Sequence, residues 1–143
     1  MMSVSALMRE HAELSRRSMK LGQMVAGAEP APIDELVTYL QEFSDLILAH
    51  LRSEDNVLYP ELCASTNVRL AQTARAFADE MGDHADLWLG YHATWSRSAI
   101  EKDWNGFRHA TEDMLDRISH RIVRENRVLF PLIDRSKDRP AAA

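Results

Sequence analysis

Cysteine, glycine, proline and surplus positive charge are all scarce in this 143-residue chain. A single cysteine, Cys63, forms no internal disulfide, which suits a reducing compartment. Five glycines and five prolines are too few for the many tight turns of a β-sandwich or barrel, so helices are expected. A net charge of -5 leaves no electrostatic footprint for nucleic acid or an anionic membrane surface. No uncharged apolar run approaches the ~20 residues that cross a bilayer, so no membrane helix is expected. The stretch Met1 to Met8 lacks the basic start and apolar core of a secretory leader, and the expected location is cytoplasmic. This length accommodates one domain, placed at residues 1–135 with a flexible tail over 136–143.

What the chain does contain is helical periodicity. Val4, Leu7, Leu14, Leu21 and Val25 recur at three- and four-residue steps, with His11 and Ser18 in the same rhythm. Gly27, Pro30 and Pro32 interrupt that stripe, and Asp34-Glu35 suits the positive end of a second helix. The second stripe runs Leu36, Leu40, Phe43, Ile47, His50, Glu54 and Leu58, ending near Pro60. Ser65-Thr66-Asn67 offers the next cap, and Leu70, Ala74, Phe77, Met81, His84, Trp88, Tyr91 and Trp95 form a third face. After a polar turn around Glu101 to Gly106, the stripe Phe107, Met114, Ile118, Ile122, Glu125, Leu129 and Leu132 predicts a fourth helix. Short connections make neighbours antiparallel, so the expected fold is an all-α, up-down-up-down four-helix bundle.

The chain also repeats itself. Glu10-His11-Ala12-Glu13-Leu14 is echoed by Asp83-His84-Ala85-Asp86-Leu87, and Glu54-Asp55-Asn56-Val57-Leu58-Tyr59-Pro60 by Glu125-Asn126-Arg127-Val128-Leu129-Phe130-Pro131. At 1.5 Å per residue, His11, His50, His84 and His120 all reach one level of such a bundle. Any one histidine on an apolar stripe is ordinarily a hydrogen-bonded core residue. Four of them beside Glu54 and Glu125 would cost about 1 to 3 kcal/mol for each polar group left unsatisfied. A metal removes that conflict. Imidazole and carboxylate donors suit iron, manganese or zinc, and carboxylates from opposite halves can bridge two cations.

These residues resemble the hemerythrin-like, or HHE cation-binding, proteins, over about Ser3 to Arg135. In hemerythrins the four helices supply a His, a His-x-x-x-Glu, a His-x-x-x-His and a His-x-x-x-x-Asp. This chain has His11, His50-x-x-x-Glu54, Glu80-x-x-x-His84 and His120-x-x-x-x-Glu125. The resemblance implies two non-heme iron ions bridged by carboxylates, with an oxo or hydroxo bridge as an option. One iron would sit on His84 and His120, with Glu80 either a further ligand or an ordinary solvated helix residue, the other on His11 and His50 with an open position. Glu80 stands where the oxygen carriers have a fifth His, and its counterpart in the first half is Leu7. A carboxylate there favours the ferric state over reversible oxygen binding.

The implied function is binding of, or reaction with, a small oxidant such as O2, H2O2 or NO, with catalase- or peroxidase-like turnover left open. The alternative is iron buffering or redox sensing without turnover. No protein partner is indicated. Trp88, Tyr91, Trp95, Tyr59 and Phe130 read as packing residues, and Arg121 to Arg127 as a solvated face. One spacing stands out. Four residues leave Glu54 about 40° from His50 around the helix, whereas five leave Glu125 about 140° from His120. Both can face one metal pair only if the helix is locally distorted or long side chains wrap toward the centre, and a wide turn between Ser119 and Asn126 is predicted.

Overall fold

A computed structural model describes residues 3–138, and among these there are helices and no strand. Helix α1 is Val4–Val25, opened by Ser3, whose Oγ accepts from the Ala6 N–H at 3.1 Å. Helix α2, Ile33–Ser53, begins with Asp34 and Glu35 in its first turn, as the macrodipole favours. Helix α4, Val68–Met81, is capped by Asn67, whose Oδ1 accepts from the Leu70 N–H. Between them, α2 continues through a π turn, Glu54–Leu58, into α3, Tyr59–Cys63. The later elements are α5, His84–Thr94, the short α6, Arg97–Lys102, and α7, Trp104–Arg124. Asp103 caps α7 by accepting from the Gly106 N–H at 2.9 Å. A second π turn, Glu125–Leu129, leads into α8, Phe130–Asp138.

Pro60 does not end its helix, contrary to the reading of the second stripe, and Pro131 does not end the fourth. Proline lacks an N–H and its ring crowds the carbonyl four residues back. In both halves a π turn precedes the proline by one residue: Tyr59 N–H donates to the Glu54 carbonyl, and Phe130 N–H to that of Glu125. The wider turn loosens the ladder where the proline would break it, and the helix carries on. The third stripe departs in the other direction, being cut at Gly82-Asp83 into α4 and α5. Helix α8 includes Ser136 to Asp138 of the expected tail, and 139–143 lie outside the described residues.

Helix α1 packs on α2 and α7, α5 on the same two, and α8 on α4 and α1. Two apolar clusters result. Leu14, Leu21, Phe43, Ile47, Leu51, Trp88, Phe107 and Ile122 belong to the first; Leu7, Leu58, Leu62, Phe77, Met81, Leu129, Phe130 and Ile133 belong to the second. Along each long element one polar stretch divides the clusters. His11 lies between Leu7 and Leu14, Glu54 between Leu51 and Leu58, His84 between Met81 and Trp88, and Glu125 between Ile122 and Leu129. Hydrophobic packing above and below thus holds a buried polar layer across the molecule.

Candidate metal centre

Within that layer His11, His50, Glu54 and Glu125 each offer a donor atom, all within 4.8 Å of one another, and all four side chains are buried. Both imidazoles turn Nε2 inward. His11 Nε2 lies 3.1 Å from Glu125 Oε1 and 3.4 Å from Glu54 Oε2, and His50 Nε2 lies 3.2 Å from Glu54 Oε1. Their outer nitrogens are engaged: His11 Nδ1–H donates to Asn126 Oδ1 at 2.7 Å, and His50 Nδ1–H to Glu10 Oε1 at 3.0 Å. Such outer bonds leave Nε2 as the ligating nitrogen and fix the ring plane. The His11 ring also lies against Phe130, centroids 5.1 Å apart, and meets His50 edge-on at 5.0 Å.

In the metal-free protein every inner and outer contact of these rings is to an acceptor, which favours imidazolium. Burial pulls His11 down, but the Glu125 and Glu54 carboxylates more than offset it and push it up to about 10. His50 is raised in the same way, burial opposing and Glu54 and Glu10 prevailing. Glu54 is held below the usual carboxylate range by both histidines despite burial, whereas Glu125 is raised by burial and by the charge of Glu54. A folded value above the unfolded one stabilises in full below the ordinary imidazole value, 6.5, and the gain disappears as pH climbs to about 10. The melting temperature of chelator-treated protein is therefore expected to fall between those two values; a flat profile would contradict the ion pairing.

A fifth buried group, Arg121, completes the layer at 2% exposure. Its Nη2–H groups donate to Asp55 Oδ1 at 2.6 Å and Glu54 Oε1 at 3.2 Å, Nε–H to Glu125 Oε2 at 3.3 Å, and Nη1–H to the Met81 carbonyl at 2.9 Å. Tyr59 O–H donates to Glu125 Oε2 at 2.6 Å, and burial with the neighbouring carboxylate raises the phenol. So Arg121 and Asn126 are not part of a solvated face, and Tyr59 does more than pack.

Glu80, His84 and His120 lie apart from the cluster. They line a separate cleft of about 370 Å³ with Met81, Asp116 and Arg117. His120 and Glu80 are exposed, and Glu80 pairs with Arg124. His84 is buried, its Nδ1 has no hydrogen-bond partner among the described residues, and burial with the nearby Arg121 charge lowers its pKa. The expected wide turn is present but overlaps only the end of the predicted stretch: the π turn starts at Glu125, and Glu125 N–H still donates to the Arg121 and Ile122 carbonyls. With the helix intact from His120 to Glu125, the residue four before Glu125 faces inward, and that is Arg121. His50 stands four before Glu54. Aligning the repeat on its glutamates pairs His50 with Arg121, a sign already legible in the spacing.

The donor set fits a transition metal. Two imidazole nitrogens and carboxylate oxygens converge, no thiolate takes part, and Cys63 packs against the second apolar cluster. Glu125 Oε1 faces His11 Nε2 yet makes no aligned hydrogen bond, which leaves a buried acceptor lacking a partner among the described residues unless a cation supplies one.

The family model described as "Hemerythrin HHE cation binding domain" matches residues 2–133. No curated protein and no solved structure matches the chain significantly.

Proposed function

The chain belongs to the hemerythrin HHE cation-binding domain family, and from that premise we propose that His11, His50, Glu54 and Glu125 hold non-heme iron that binds or reacts with a small oxidant, O2, H2O2 or NO. The observation that carries this reading is the pair of inward Nε2 atoms facing two buried carboxylates, each ring locked from outside by Asn126 or Glu10. Iron so held supplies an open coordination position and a one-electron change of oxidation state. The protein's part is to desolvate and select. All four donors are at most 4% exposed, so reach is restricted to diatomic or peroxide-sized molecules. Tyr59 O–H, donating to Glu125, holds a proton next to the centre.

The long helical elements, α1, α2 with α3, α4 with α5, and α7 with α8, make up the four members of the proposed up-down-up-down bundle. Short connections and the shared polar layer support that arrangement. Residues 1–135 are taken as its single domain. Among the described residues no helix is long and apolar enough to cross a membrane, and a cytoplasmic location is proposed from the lone cysteine. A second iron on Glu80, His84 and His120 receives no support from their positions around the separate cleft.

Anaerobically reduced, iron-loaded protein, given O2, H2O2 or NO in separate optical titrations, tests the function. The expected result is a new absorption band with at least one of them. Sustained gas evolution from peroxide would mark a catalase-like enzyme, and a single stoichiometric oxidation would mark buffering or sensing. Protein that retains no iron, or iron that none of the three perturbs, would refute the proposal.

A further inference from the structure

We infer that Arg121 is a built-in cation standing in the second half-site, so that the centre takes one metal ion per chain and not two. This rests on the metal reading above and concerns how many ions the centre takes. Each buried glutamate divides its oxygens. Glu54 Oε2 and Glu125 Oε1 face His11 Nε2, at 3.4 and 3.1 Å. On the other side, Glu54 Oε1 and Glu125 Oε2 accept from the guanidinium of Arg121, at 3.2 and 3.3 Å, with Glu54 Oε1 shared with His50 Nε2, also at 3.2 Å. The carboxylates therefore bridge an imidazole-lined position and a fixed positive charge. A dication entering beside Arg121 would meet like charge in a desolvated layer, and it would have to displace Arg121 and Tyr59 from Glu125 Oε2.

The internal repeat shows which position the arginine occupies. Aligned on Glu54 and Glu125, His50 corresponds to Arg121, Asp55 to Asn126, and the preceding repeat pairs His11 with His84. In the working half, Asn126 orients His11 through Nδ1. By the same pseudo-symmetry Asp55 would orient His84. Instead Asp55 is held by Arg121 at 2.6 Å, and His84 Nδ1 is left without a hydrogen-bond partner among the described residues. Three differences between the halves, the missing histidine, the diverted aspartate and the orphaned imidazole, thus trace to one residue. The Met81 carbonyl, accepting from Arg121 at 2.9 Å, anchors the side chain from α4 as well.

Full-length protein loaded anaerobically with Fe(II) and desalted is expected to carry one iron per chain by elemental analysis. After oxidation it should show the electron paramagnetic resonance of an isolated high-spin ferric ion. Arg121→His restores the His-x-x-x-Glu spacing of the first half and frees Asp55 for His84; it is expected to raise the count toward two and to convert that signal to the silent spectrum of a coupled pair. Arg121→Lys keeps the charge and is expected to stay at one. Two irons in the wild type would overturn the inference while leaving the metal centre standing, as would a folded Arg121→His that remains at one. Zero iron in the wild type would overturn the metal reading and this inference with it. The wild-type count decides the matter even if the histidine variant does not fold.

Discussion

Arg121→Met is expected to destabilise the metal-free protein by about 3 to 5 kcal/mol, the usual cost of removing one partner from a buried ion network. Its guanidinium is 2% exposed and serves Glu54 and Glu125, both fully buried, together with the partly buried Asp55. Methionine fills much of the same volume, so the loss reflects uncompensated negative charge more than a cavity. Two further outcomes separate these causes. Acid should narrow the gap to wild type, because Glu125, raised by burial and by Glu54, takes up a proton before Glu54 does. Fe(II) should narrow it too, by restoring positive charge to the layer. Urea unfolding of chelator-treated and iron-loaded protein at pH 5 and 7 gives all four comparisons. A cost below about 1 kcal/mol would mean that the carboxylates are not both ionised in the absence of Arg121.

His11→Ala is expected to weaken iron binding by more than about 100-fold, the upper end of what removal of an outer hydrogen-bond partner costs a metal site. His11 is the imidazole that faces both carboxylates, and its Nδ1 is tied to Asn126 at 2.7 Å. Asn126→Ala keeps every donor and releases only the ring, so it should fall within the range of about 10- to 100-fold. Glu80→Ala removes an exposed partner of Arg124 and should leave affinity unchanged. Chelator-competition titrations order the three. A Glu80→Ala protein as impaired as His11→Ala would return the site to the ligand set suggested by family resemblance, and undiminished binding by His11→Ala would move it elsewhere.

Much of this was readable before any coordinates. Apolar steps of three and four residues mark the long helices, Asn67 and the Asp34-Glu35 pair mark two of their starts, and the repeated Glu-x-x-x-Leu-[Tyr/Phe]-Pro segments mark two equivalent halves. His11, His50, Glu54 and Glu125 follow from the same spacing, since a four-residue step returns to nearly the same face of a helix. Sequence also places the polar residues at one level, because axial rise is uniform.

Which neighbour at that level turns inward is a question of helix phase, and one residue changes phase by about 100°. His120 and Arg121 both suit the fourth helix by height. A wide turn before Glu125 would have selected His120, and an unbroken helix selects Arg121. The wide turn instead begins at Glu125, ahead of Pro131, where it lets the helix pass a proline. Nor does linear spacing register the interruption at Gly82-Asp83, which separates α4 from α5 and so resets the phase between Glu80 and His84. Burial of the guanidinium was decided by three-dimensional packing alone: an arginine in a charge-rich stretch reads as solvated until carboxylates from the π turn after α7 and from the opposite half close around it. Those carboxylates come from residues as many as 67 positions away, and their convergence is a property of how the helices pack.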